Sequence, residues 1–112
     1  MINLLEETKR VIEENNHGVD EVKWLGSANF GWFKWEDFEQ IADIEYDNGY
    51  GAPEIAQDLL VVGEDWWLER HEYDGSEWWE FKTTPSKPDG YSKPKGLKAI
   101  IIGWEDLSEI NC

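Results

Sequence analysis

Hydrophobic and polar positions alternate most regularly between Trp66 and Thr83, in the stretch WWLERHEYDGSEWWEFKT. Asp74-Gly75 at its centre is strong two-residue hairpin chemistry, because a type I′ turn needs positive φ at both central positions. With that turn the register follows: Tyr73 faces Ser76, Glu72 faces Glu77, His71 faces Trp78, Arg70 faces Trp79, Glu69 faces Glu80 and Leu68 faces Phe81. Strand side chains alternate between faces. Trp66, Leu68, Arg70, Trp79, Phe81 and Thr83 therefore form the expected core face, with Arg70 laid over Trp79. Trp67, Glu69, His71, Tyr73, Trp78, Glu80 and Lys82 form an acidic, aromatic surface. Glu72/Glu77 and Glu69/Glu80 oppose like charges, which destabilises a sheet. That conflict points to a selected role beyond folding.

The rest of the pattern builds around this hairpin. In residues 3–15, Leu4, Leu5, Thr8, Val11 and Ile12 recur at helical spacing. Asn3 is the expected N-cap, Glu6 completes a capping-box-like pair, and Glu7 lies near the positive end of the dipole. Asn15-Asn16-His17-Gly18 stops the helix, with Gly18 suited to a left-handed position and His17 read as a solvated end residue. Residues 20–26 read as a first strand. Phe30 to Phe33 is a second short strand or an aromatic loop.

Residues 34–43 place Trp35, Phe38, Ile41 and Ala42 on one face of a short acidic helix, although Ile44-Glu45-Tyr46 could draw its end into a strand. DNGYG at 47–51 is turn chemistry. It lacks both the ligand pattern of an EF-hand and the sequence of a phosphate loop. Pro53 suits the first turn of a short helix through Gln57. Residues 58–63 make a buried strand and Glu64-Asp65 a tight turn, which yields a three-stranded antiparallel meander. Residues 84–95 hold three prolines and three lysines and read as a surface loop. Leu97 to Ile102 reads as a last apolar strand, and 104–107 starts a terminal turn or short helix. The expected fold class is α+β in one domain. An antiparallel sheet of four to five strands carries the N-terminal helix, with the second short acidic helix beside it.

Composition sharpens the picture. Among 112 residues there are eight tryptophans, and the formal net charge is −15. Large aromatics can fill a small core, each burying roughly 150–250 Å². Yet Trp66-Trp67 and Trp78-Trp79 must each point one ring to either side of a strand. The charge is uneven: residues 36–80 hold 15 acids against Arg70 alone, whereas residues 81–112 hold four acids and five bases. Such a field attracts basic partners and repels nucleic acid and anionic membranes, while also serving simple solubility.

Candidate chemistry is sparse. Cys112 is the one cysteine, so no disulfide forms within the chain and no zinc spacing exists. The N-terminus does not read as a signal peptide and no apolar run reaches 18 residues, so the expected location is the cytoplasm. Glu69, His71 and Glu80 share a face and could hold a divalent metal, but a lone strand histidine is more often a surface residue held by a carboxylate. Nucleophile signatures are absent. Cross-strand carboxylates on an open sheet lack the cleft of a glycosidase. The chain is read as a non-enzyme without cofactor or metal.

An acidic aromatic surface disfavours direct nucleic-acid binding, which pairs stacking rings with a basic groove. Sugar binding through Trp67 and Trp78 is left open. A basic protein partner fits better, with tryptophan and tyrosine as anchors. The expected contact residues are Glu36, Asp37, Glu39, Asp43, Trp67, Glu69, Tyr73, Glu77, Trp78 and Glu80. Segment 36–80 and its hairpin give the chain a make-up that resembles small, acidic, aromatic-rich phage and prophage proteins. Some of those inhibit CRISPR effectors or restriction enzymes as nucleic-acid mimics. The resemblance implies an inhibitor of a nucleic-acid-handling host protein, and it carries over no individual residue. Two alternatives are a phage structural or accessory protein that self-associates through its aromatic face, and an immunity protein that neutralises a toxin.

Overall fold

The computed structural model describes residues 1–99 and 103–112. In chain order the elements are β1 (Ile2–Asn3), α1 (Leu4–Glu14), β2 (Trp24–Ser27), β3 (Gly31–Phe33), α2 (Trp35–Ile41), β4 (Glu45–Tyr46), β5 (Leu60–Val62), β6 (Trp66–Tyr73), β7 (Ser76–Thr83) and α3 (Leu107–Ile110). Among the described residues all strand pairings are antiparallel. Five strands form one sheet in the order β3-β2-β5-β6-β7, and β1 pairs with β4 in a separate two-stranded sheet. The protein is α+β, and β5, β6 and β7 make the expected meander.

The hairpin forms in the register set by its turn, from Trp66 opposite Thr83 to Tyr73 opposite Ser76. Asp74 and Gly75 both have positive φ, 50° and 87°, as a type I′ turn demands. Alternation then divides the strands. Trp66, Leu68, Arg70 and Trp79 are buried, while Trp67, Glu69, His71, Trp78 and Glu80 stay half-exposed. The core joins these inward residues to Leu25 and Val61 from β2 and β5, and to Leu4, Ile12, Phe38, Ala42 and Tyr46 from the helical side. Both α1 and α2 therefore cover the same face of the sheet. Gly63 permits close packing, because a Cβ there would overlap the Trp66 indole.

Local signals account for the helix ends. Asn3 Oδ1 accepts the Glu6 amide at 3.0 Å and caps α1. Asp106 caps α3 by accepting the Glu109 amide at 2.9 Å. After α1 the left-handed residue is Asn16 (φ 66°) rather than Gly18. Gly18 instead precedes a single 3₁₀ turn at Val19–Glu21, so β2 starts at Trp24, later than the alternation of Val22 and Trp24 indicates.

Three further expectations change. The segment from Pro53 to Gln57 is not helical, because the amides of Glu54 and Ile55 donate to the Glu77 carboxylate at 2.6 and 3.3 Å. His17 is not a solvated end: its ring stacks on Trp66 at 4.7 Å, and its Nδ1 lies 2.9 Å from Glu21 Oε1. Within the expected last strand, Leu97 to Ala99 are not in a strand, and residues 100–102 lie outside the described residues. Residues 84–95 form an exposed stretch without helix or strand, as their prolines suggest.

Candidate protein-binding surfaces

The inward and outward faces of the hairpin use the same residue types to different ends. On the inward face Arg70 is the centre. Its side chain is fully buried and its Nη2 donates to Glu77 Oε1 at 2.8 Å and to the Tyr46 hydroxyl at 3.1 Å. Tyr46 in turn donates to Glu7 Oε1 at 2.6 Å. Arg70 Nη1 lies 3.7 Å from the same oxygen, an ion pair too long for a hydrogen bond, and among the described residues neither Nε nor Nη1 has a hydrogen-bond partner. The guanidinium sits over the Trp79 ring at 4.7 Å and the Tyr46 ring at 5.6 Å, a favourable cation–π placement in a desolvated site. Burial, and next the hydrogen bond to Glu7, push the Tyr46 hydroxyl up to about 12. Trp79 Nε1 donates to Thr8 Oγ1 at 2.9 Å, which ties the sheet to α1.

This cluster corrects one expected contact residue. Glu77 is 3% exposed and faces the core. It is paired with the single base of the acidic segment and accepts two loop amides, so it is a lock between hairpin and loop rather than a contact residue. Its parity with Trp79 and Phe81 is the signal that places it inward.

The outward face is built from the alternate residues. Register aligns Trp24, Val62, Trp67 and Lys82 in one row across four strands, and Trp32, Gly26, Leu60, Glu69 and Glu80 in the next across five. His71 and Trp78 continue it toward the turn. Every side chain of these rows that reaches beyond Cα is half-buried or exposed, and Trp32 is 68% exposed. Trp67 Nε1 donates to Glu69 Oε1 and Trp78 Nε1 to Glu80 Oε2, both at 2.7 Å. These bonds, two residues apart along each strand, fix the indoles to the sheet and satisfy their N–H groups, so the rings offer apolar surface. The Trp67 indole, followed by His71, holds the Glu69 carboxyl below the usual carboxylate range. His71 Nε2 lies 2.7 Å from Glu69 Oε2 and its ring stacks on Trp78 at 6.5 Å.

The Glu69/Glu80 opposition is thereby met by fold-internal partners, with Lys82 Nζ 4.0 Å from Glu80. In the other pair Glu77 turns to Arg70 and leaves Glu72 exposed. Like charge across the hairpin thus has a local explanation. Among the described residues, no three His, Cys, Asp or Glu side chains converge to hold a metal ion, Glu69, His71 and Glu80 included.

The expected contact residues divide between two places. Trp67, Glu69, Trp78 and Glu80 share the open sheet face, and Tyr73 is exposed near the hairpin tip. Glu36, Asp37, Glu39 and Asp43 are exposed on or just after α2, on the helical side of the sheet. Two of these acids are engaged locally: Asp37 accepts the Lys34 amide at 3.1 Å and Asp43 accepts from Asn3 Nδ2 at 2.8 Å. Sequence reasoning missed Trp24, Trp32, Leu60 and Val62 as members of the open face. It also missed an apolar groove of about 510 Å³ between α2, the β2–β3 turn and residues 54–59. Leu4, Phe33, Phe38, Ile41, Ile44 and Leu59 line it, with Glu54 and Asp58 also in its wall.

No protein-family model, curated protein or solved structure matches the chain. Among the described residues, no helix is long and apolar enough to cross a membrane.

Proposed function

We propose that this chain is a non-enzymatic acidic binding protein that acts in the cytoplasm by occupying the basic surface of a nucleic-acid-handling protein. The observation that supports this reading is the open sheet face, where exposed Trp32 and half-exposed Trp24, Trp67 and Trp78 are set among Glu69 and Glu80. Rigid aromatic rings are strong interface anchors. Carboxylates held at fixed strand spacing give charge complementarity, and the overall charge of −15 steers a basic partner toward the face. Bound there, the chain keeps nucleic acid from its partner and so inhibits it. The α2 acids Glu36, Asp37, Glu39 and Asp43 contribute to the long-range field rather than to the same footprint.

The test is capture from a bacterial lysate at low salt, followed by titration of the captured protein with nucleic acid in the presence of this chain. The expected result is one basic protein, released by a salt step, that loses nucleic-acid binding as the chain is added. Capture that is indifferent to salt, or a captured protein whose nucleic-acid binding is unchanged, contradicts the reading.

A further inference from the structure

The five-stranded sheet ends on one side in β7, an eight-residue strand, and on the other in β3, of three residues. The Glu77 amide leaves the hairpin and donates to Asn48 O at 2.9 Å. Alternation along a strand then turns the backbone groups of Trp79, Phe81 and Thr83 in the same direction, away from β6. Among the described residues nothing hydrogen-bonds to them on that side, and the chain that follows is exposed from Thr83 to Lys95. Long edge strands are normally shortened, bulged, charged, interrupted by proline or covered, because an open ladder is a template for another strand. Of these devices β7 has charges at Glu77, Glu80 and Lys82, and the Asn48 loop at Glu77 alone. Segment 76–83 has no proline, and its pairing with β6 runs through eight residues without a bulge.

The geometry points to pairing of β7 with β7 of a second copy, antiparallel and centred on Phe81, which joins two five-stranded sheets into one of ten strands. Charge selects this register. The Asn48 loop occupies the edge at Glu77, so only registers centred near residues 80–82 are free. Centring on Glu80 opposes two glutamates, and centring on Lys82 opposes two lysines. Centring on Phe81 sets Glu80 of each copy against Lys82 of the other, twice, on the open face. The same register pairs Trp79 with Thr83 through the outward backbone groups. Glu80 and Lys82 are each about 40% exposed at the side chain, available for cross-strand pairing. Aromatic rings of both copies then lie on one continuous face, to either side of the two Glu–Lys pairs.

The experiment is sedimentation equilibrium of the full chain at 150 mM salt, where the Debye length is about 8 Å and the repulsion between two acidic chains is screened. Amide exchange is followed at low and high protein concentration alongside it. The expected result is a monomer–dimer equilibrium in which protection of the Trp79, Phe81 and Thr83 amides rises with concentration. Lys82→Glu should weaken the dimer roughly tenfold or more, since two attractive cross-strand pairs become repulsive. Glu80→Lys combined with Lys82→Glu, which restores opposite charges, should recover most of it, with circular dichroism confirming that each variant is folded. A monomer at every concentration would overturn the proposal. So would protection of those amides that ignores concentration, which means an edge covered within one chain, or a dimer untouched by Lys82→Glu.

Discussion

The two faces of the β6–β7 hairpin each combine tryptophan, glutamate and a base, yet they do different things. On the inward face Glu77 and Glu7 surround Arg70, Trp79 reaches Thr8, and solvent is excluded. On the outward face Glu69 and Glu80 hold the Trp67 and Trp78 indoles in place, and the rings remain half-exposed. A carboxylate placed by parity against a buried guanidinium becomes part of the fold. One residue along the strand, the same group becomes part of a surface. Burial, rather than residue type, separates lock from platform.

Breaking the lock has the largest expected effect. Arg70→Met leaves Glu7 and Glu77 buried without their cation, and loss of one partner from a buried ion pair costs about 3–5 kcal/mol. Urea unfolding should show it as a large drop in midpoint. A smaller loss, about 1–3 kcal/mol, is expected for Tyr46→Phe, which takes a hydrogen-bond donor from Glu7 and an acceptor from Arg70. That variant also sharpens the comparison through pH. The Tyr46 hydroxyl is raised in the folded state to about 12. Its stabilising effect is therefore complete below the ordinary tyrosine range near 10 and is lost as pH climbs from there through about 12. Alkaline unfolding curves should show that loss in the native protein and lack it in Tyr46→Phe.

On the outward face the effects are smaller. Glu69→Gln should change the urea midpoint at neutral pH only slightly, since its bonds are on a half-exposed surface. Because the Glu69 carboxyl is lowered in the folded state, its contribution is present above the unfolded carboxylate range and fades as pH falls through the folded value. As pH falls through and below the ordinary carboxylate range the variant should therefore lose less stability than the native chain, a slope readable from acid titrations of the urea midpoint.

Much of this division is legible in the residues. Asp74-Gly75 sets the hairpin register, and parity alone places Arg70 over Trp79 and leaves Trp67 and Trp78 outside. Asn3 marks the start of α1. What escapes the sequence depends on distant partners. Glu7 looks like a residue placed for the helix dipole, but it is buried because Tyr46 and Arg70, far along the chain, meet it in the core. Pro53 favours a helix start, yet the Glu77 carboxylate takes the amides of Glu54 and Ile55 and holds the segment as a loop. Two-residue β1 and β4 carry no pattern that could reveal their pairing. Trp24 and Trp32 join the open face only because β2 and β3 pair beside β5.

The most direct measurement compares Trp67→Ala/Trp78→Ala with the native chain in both partner capture and urea unfolding. If the open face is a recognition platform, capture falls by a factor on the order of a hundred or more, as expected for two aromatic hot spots, while the unfolding midpoint drops less than in Arg70→Met. Equal capture by the double variant, or a loss of stability as large as that of Arg70→Met, would contradict the division between lock and platform.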